Sequence, residues 1–327
     1  MFNKYLVHII IITQCLFLAS CIEKELPILP HETGDLIVNS PSIGSNYRNQ
    51  LYYSISNNEI VASNIKTDWC FSLQSNNDSI LLGLNSSRYP LISSLGEIDP
   101  STEITEEMLE NMVWALSPPE GAGISHLSHF LAPETLYIID RGRDTSGDYL
   151  GYARLYITDF SNPASSFTLT IESLNQDSAV ILPITLDSDG ARSHFSAITF
   201  DQKEIEPPLD EYDIWITQYT ELLDEESPYL VTGILTPGEN TTVYQAPFSQ
   251  WDSLLISDWS NLEFSSEWNA IGFDWKSYDI NAGTYSIDTE RLYCIKTDAG
   301  REFLIRILDF YDDSGSTGTF TFESIER

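Results

Sequence analysis

The side chains able to coordinate or react are few and widely spaced. His126 and His129 stand three residues apart in a loop-like segment, and Ser125-His126 and Ser193-His194 each set a hydroxyl beside an imidazole. Neighbouring residues of a strand point to opposite faces, so neither Ser-His pair assembles a nucleophile with its base. The sequence contains no Gly-x-Gly-x-x-Gly, phosphate loop or His-Glu-x-x-His, and carboxylates are too numerous for a glycosidase-type pair to be singled out without a measured separation. The expectation is a non-enzymatic chain that binds through aromatic surface, with no resident metal. Trp259 and Trp268 lie among Ser, Asp, Asn and Glu; with His126 and His129 they are the candidate ligand contacts. Core packing is the competing reading of the tryptophans, and plain surface-loop residues that of the histidines.

The cysteines divide by position. Lys4, the apolar run from Tyr5 to Ile12 and the segment Leu16 to Ala19 describe a secretory leader over residues 1–20. Leu18-Ala-Ser-Cys21 resembles the bacterial lipobox, which implies a diacylglycerol, and in time a palmitate, on Cys21. Ile22 after that cysteine points to the outer membrane, and Glu23-Lys-Glu25 is similar to the acidic signal that sends some Bacteroidetes lipoproteins to the exterior face. Residues 21–47, with Pro27, Pro30 and Pro41, read as the lipidated N-terminus and a flexible tether. Cys70 and Cys294 then remain as an even pair in an oxidising compartment, either bridged by a disulfide or buried as two free thiols in apolar strands.

Charge narrows the partners. With 49 acidic against 16 basic residues the formal charge is -33, so nucleic acid is excluded as a partner and contact with a membrane falls to the lipid anchor. Asp187-Ser-Asp-Gly190 and Asp312-Asp-Ser-Gly315 carry oxygen ligands but stop short of a calcium loop, and both read as turns.

Most of the chain is strand. Arg291 to Thr297, Arg301 to Phe310 and Gly318 to Glu323 are rich in β-branched and aromatic residues and bounded by Asp and Gly. Leu136 to Asp140, Tyr152 to Phe160 and Phe167 to Ile171 repeat that order, as Phe195 to Tyr212 repeats Tyr53 to Trp69. A recurring order at long spacing indicates internal duplication. The fold class is therefore all-β, as two related domains over residues 48–189 and 190–327. One amphipathic helix is expected between Asp99 and Trp114, where Ile104, Met108, Leu109, Met112 and Val113 have helical spacing. Gly83, inside a strand, suggests a bulge or a close backbone approach, and the strand Tyr229 to Leu235 again has one internal glycine, Gly233.

Several blocks resemble the HmuY-like lipoproteins of the Bacteroidetes. They are Tyr52 to Ser56 with Asp68-Trp69, Tyr137 to Gly142, Tyr212 to Thr220, Pro228-Tyr-Leu-Val-Thr-Gly233, Gly272-Phe-Asp-Trp-Lys276, and Tyr293 to Phe322. The resemblance spans nearly the whole mature chain. It implies an all-β fold and a haemophore-related function, with haem as the candidate ligand held by two axial histidines or methionines. From Phe195 to Arg327 there is neither His nor Met, so such a pair is excluded from the second domain. Arg141, Arg143 and Arg192 are the cations available to propionates. A surface adhesion subunit that captures host protein or glycan is the alternative.

Overall fold

The computed structural model describes residues 34–76, 79–116, 130–161, 166–175, 179–186, 192–223 and 227–327. Cys21, His126, His129 and the Asp187 turn lie outside the described residues.

The chain is all-β. In order the strands are β1 (Ile37–Asn39), β2 (Asn49–Ser54), β3 (Glu59–Ile65), β4 (Trp69–Asn76), β5 (Ser79–Leu84), β6 (Leu91–Gly96), β7 (Ala115–Leu116), β8 (Phe130–Leu131), β9 (Leu136–Asp140), β10 (Tyr152–Ser161) and β11 (Ser166–Ser173). They continue as β12 (Ala179–Thr185), β13 (Ser193–Ser196), β14 (Gln202–Lys203), β15 (Ile214–Leu223), β16 (Ser227–Leu235), β17 (Thr241–Pro247), β18 (Lys276–Asp279), β19 (Thr284–Ile287), β20 (Arg291–Thr297), β21 (Glu302–Tyr311) and β22 (Thr317–Glu326). Period-two burial along β10 and β11 shows why these segments are strands: one face is apolar and covered, the other polar.

Four of the sheets pack as two sandwiches. In the first, β14-β13-β4-β5-β8 faces β12-β11-β10-β9-β6-β7 across a core holding Phe71, Leu155, Leu169 and Phe195. In the second, β3-β2-β15-β16 faces β1-β22-β21-β20-β17 across Leu51, Ile216, Ile295 and Phe320. Apart from β7 and β8, which have no counterpart, the strand orders agree, so that β13 corresponds to β2, β4 to β15, β12 to β1 and β11 to β22. The recurrence seen in the sequence is thus a recurrence of topology.

The expected boundary at residue 190 does not separate the sandwiches. Strands β1 to β3 belong with the C-terminal sheets, where β1 pairs β22 and β2 pairs β15. Strand β13 lies beyond residue 190 yet pairs β4. The opening strands of each repeat therefore complete the other repeat's sandwich, and Thr33–Arg327 is one compact unit. The same pairing corrects the tether's limit. Gly34 N–H donates to the Glu326 carbonyl at 2.7 Å and Ile43 is fully buried, so the described part of residues 21–47 is folded.

The expected helix over 99–114 is shorter. Helix α1 spans Glu106–Asn111, with Thr105 Oγ1 accepting from Met108 N–H at 3.2 Å, and none of its residues is buried. A second single-turn helix, α2, spans Trp251–Ile256. Gly233 lies in close backbone contact: a Cβ there would lie 2.5 Å from the Gly272 carbonyl oxygen. The Asp312 turn is closed by its own carboxylate, whose Oδ1 accepts from the backbone of Ser314 and Ser316.

Candidate functional site

The sandwiches meet at a polar and aromatic seam. Alternation in β15 sends Ile214 and Ile216 into the second core and Trp215 and Tyr219 onto the opposite face, where they join Tyr52, Trp69, Ile205 and Tyr212. Within this seam the Arg192 guanidinium makes two hydrogen bonds to Glu206, and Tyr212 donates to the same carboxylate. Burial alone would raise the Glu206 carboxyl, but the Arg192 charge reverses this and leaves it below its ordinary value. His194 packs edge-on to Trp69 at 4.6 Å, and burial pushes its imidazole down to about 4.

Beside the seam opens a cleft with two adjoining lobes, both lined by Tyr47 and Leu230. The first lobe, about 370 Å³, takes Arg48, Lys66, Thr67, Ser87, Arg88, Tyr89 and the turn 143–147 from both sandwiches and the segments between them. The second, about 260 Å³, is lined by Tyr229, Phe273, Lys276, Tyr278 and Tyr285. Their floor is continuous: Lys66 Nζ donates to Gln218 Oε1, and Gln218 Nε2 donates to Thr232 Oγ1 at 2.9 Å. Thr232 O in turn accepts from Lys276 Nζ. Burial lowers Lys66 to about 8 and Lys276 to about 7. The Lys276 ammonium also sits 4.1 Å from the Trp275 ring centroid and 4.9 Å from that of Phe310.

Backbone conformation at the cleft is unusual. Tyr47 and Tyr89 have φ of 50° and 57°, a region that non-glycine residues seldom enter. Each is pinned by its hydroxyl: Tyr89 accepts from Leu230 N–H at 2.9 Å, and Tyr47 bonds Thr317. In the aromatic lobe, burial and then the neighbouring phenols of Tyr47, Tyr229, Tyr278 and Tyr311 hold the Tyr285 hydroxyl above its ordinary value.

The charge distribution singles the cleft out. Among the described residues, Arg154, Arg192, Lys203, Arg291, Lys296, Arg301, Arg306 and Arg327 each have a carboxylate within ion-pair distance. Arg141 is buried and donates to the backbone carbonyls of Gly151, Leu150 and Ala197. The other cations, Arg48, Lys66, Arg88, Arg143 and Lys276, line the two lobes without an ion-pair partner.

The residues expected from sequence fall elsewhere. Trp259 is 1% exposed, with its Nε1–H donated to Leu254 O at 2.9 Å, and belongs to a core with Leu292 and Leu304. Trp268 is half-buried against Trp215 and the Arg192 guanidinium, outside both lobes. Cys70 and Cys294 are free thiols in separate cores, the second of the two alternatives the sequence left open; burial raises both, Cys294 to about 12. Of the arginines suggested for propionates, Arg192 is taken by Glu206, Arg141 by carbonyls, and Arg143 alone reaches the cleft. Sequence did hold one signal for the site. In a chain this acidic, Tyr47-Arg48 and Arg88-Tyr89 are basic and aromatic neighbours with no acid beside them.

Taken together, the fold defines an all-β protein of two topologically matched sandwiches with an open cleft at their junction. The family described as HmuY protein matches residues 46–323, and the chain belongs to that family. Among solved structures, a Bacteroides vulgatus protein described as HmuY-like and haem-binding is 15% identical, with 51% of this chain and 96% of that one covered and a TM-score of 0.25. Apo PinO from Porphyromonas gingivitis is 9% identical, with 90% of this chain and 98% of that chain covered and a TM-score of 0.29. No curated protein matches the chain.

Proposed function

We propose that this chain is a non-catalytic ligand-capture protein, held at the outer membrane through a lipidated Cys21, that receives a flat and partly apolar ligand in the aromatic lobe. Haem is the first candidate, as the family membership suggests. The observation that carries the reading is the grouping of Tyr229, Phe273, Tyr278 and Tyr285 around one open lobe on an otherwise acidic surface. Aromatic rings supply rigid apolar area at low entropic cost, as capture of a planar ligand requires. Phenol oxygen is a recognised haem-iron donor, and Tyr229 and Tyr278 are both more than half exposed. Cys294 cannot serve, being buried in a different core.

Haemin titration of the purified chain, followed by visible absorption, tests this. The expected result is saturable binding with the spectrum of tyrosine-ligated ferric haem, lost in the double substitution Tyr229→Phe, Tyr278→Phe. A bis-histidine spectrum abolished by replacing His126 and His129 would move the site out of this lobe. Absence of saturable binding would remove haem as the ligand. Mass analysis of the mature N-terminus tests the anchor, and an unlipidated chain would remove it.

A further inference from the structure

We propose that the cationic lobe is a separate binding site for a carboxylate-bearing saccharide of the uronic-acid type. This goes beyond capture of a flat ligand by the aromatic lobe and stands without it.

The argument begins with charge. A protein with formal charge -33 has carboxylates to spare, yet Arg48, Lys66, Arg88 and Arg143 share one lobe with no ion pair among them. Four cations against the one Asp144 carboxylate leave the lobe's lining with a positive excess, and an anion joining it would relieve their mutual repulsion. Arg88 makes the point most sharply. Its side chain is 1% exposed, Nη1 donates to Thr67 O at 2.7 Å and Trp69 O at 3.2 Å, and Nε and Nη2 have no hydrogen-bond partner. Asp144 and Asp68 lie near enough to act on this buried guanidinium but neither pairs with it, so its charge acts on the adjoining space, where a low dielectric strengthens it.

The lobe's remaining lining selects among anions. Thr67, Ser87, Thr145 and Ser146 offer hydroxyls, suited to a ligand that itself carries several hydroxyls. Asp144 also lines the lobe; its Oδ1 accepts from Ser146 N–H at 2.8 Å and Asp148 N–H at 2.9 Å. Oδ2 is engaged by neither bond and can accept from a ligand hydroxyl. A carboxylate amid cations therefore disfavours a doubly charged phosphate and favours a monoanion that is also a hydroxyl donor, as a sugar acid is. Tyr47 and Tyr89, held at positive φ, present rings to the same space. A volume of about 370 Å³ suits one or two sugar units, and the acidity of the surrounding surface repels a long polyanion.

Isothermal titration of the purified chain with glucuronic acid, glucose, inorganic sulfate and haemin tests this. Glucuronic acid should bind saturably and glucose should not. Arg48→Gln with Arg143→Gln should weaken glucuronic acid by about tenfold or more, equivalent to 1.4 kcal/mol. The charge-matched control Lys203→Gln with Lys296→Gln should leave it unchanged. Absence of glucuronic acid binding, equal binding of glucose, or full binding by the Arg48, Arg143 variant would each overturn the proposal. Sulfate binding as tightly as glucuronic acid would reduce the site to an adventitious ion only. Haemin is scored separately, so loss of either activity leaves the other reading standing.

Discussion

Arg192 and Glu206 are joined by two hydrogen bonds, Nε to Oε2 at 2.7 Å and Nη2 to Oε1 at 2.6 Å, in a seam where both side chains are at least nine-tenths buried. The pair links the entry to β13 with the segment after β14, the hairpin that completes the first sandwich. Removing one partner strands the other charge out of water. Glu206→Gln should cost about 3–5 kcal/mol in equilibrium denaturation, while Arg192→Met combined with Glu206→Leu should cost less. Equal losses in the single and double variants would show that the charges are not the issue.

Stability should fall with acid in a defined window. Burial depresses the His194 imidazole to about 4, against an ordinary value of 6.5, with Glu206 opposing and Arg192 assisting the shift. Between these values the unfolded chain binds a proton that the folded chain does not, so stability rises with pH there. The contribution is complete above about 6.5 and is lost as pH drops through about 4, on the order of 3 kcal/mol. The depressed Glu206 adds a loss of the same sign at lower pH. His194→Phe, packed on Trp69, should flatten the upper part of that slope; an unchanged slope would assign it elsewhere.

Gly233→Ala should cost about 1–3 kcal/mol, because its Cβ would meet the Gly272 carbonyl oxygen at 2.5 Å. The backbone bridge between Ile234 and Gly272 has N···O distances of 3.0 Å in both directions and leaves little room to yield. Thermal unfolding measures the loss, and an unaltered Tm would refute the contact.

Both Cys70 and Cys294 should be unreactive toward a thiol reagent in the native chain and react together on unfolding. Each is buried, and burial disfavours the thiolate that does the attacking. A non-reducing peptide map that returned them joined would contradict the structure.

A fragment covering residues 66–203 should fold by itself, since it carries β4 to β14 and the whole first core. Residues 190–327 alone should not, because the second sandwich needs Leu51 and Tyr53 from β2 and Ile43 from the segment before it. Amide dispersion in NMR spectra of the two fragments decides this, and a folded 190–327 fragment would defeat the exchanged arrangement.

The strand order was legible because alternation and Asp-Gly turns are local signals, and the same order appears twice. Which strands pair was not. Tyr53 lies opposite Ile214 and Phe195 opposite Phe71, relations between residues far apart in sequence that no periodicity encodes. The helix was read too long because its apolar spacing finds nothing to cover: no residue of α1 is buried, so only the capped turn persists. Trp259 misled because its polar neighbours face outward while the ring turns in and gives its N–H to a carbonyl. The cleft was hidden for the opposite reason. Arg48, Lys66, Arg88 and Arg143 come from four separate segments, and only the fold brings them together.

The pairing of β1 with β22, register Ile37 to Ser324 and Asn39 to Phe322, sets a clock on maturation. During synthesis the first sandwich has all its strands once β14 has emerged, whereas β1 and β2 wait for β22 and β15. Closing so long a loop is slow, and meanwhile β1 has no partner and β2 is paired on one side alone, with β3. A chaperone that shields extended, half-apolar segments would therefore act on the N-terminal strands first and release them only when the last hairpin arrives.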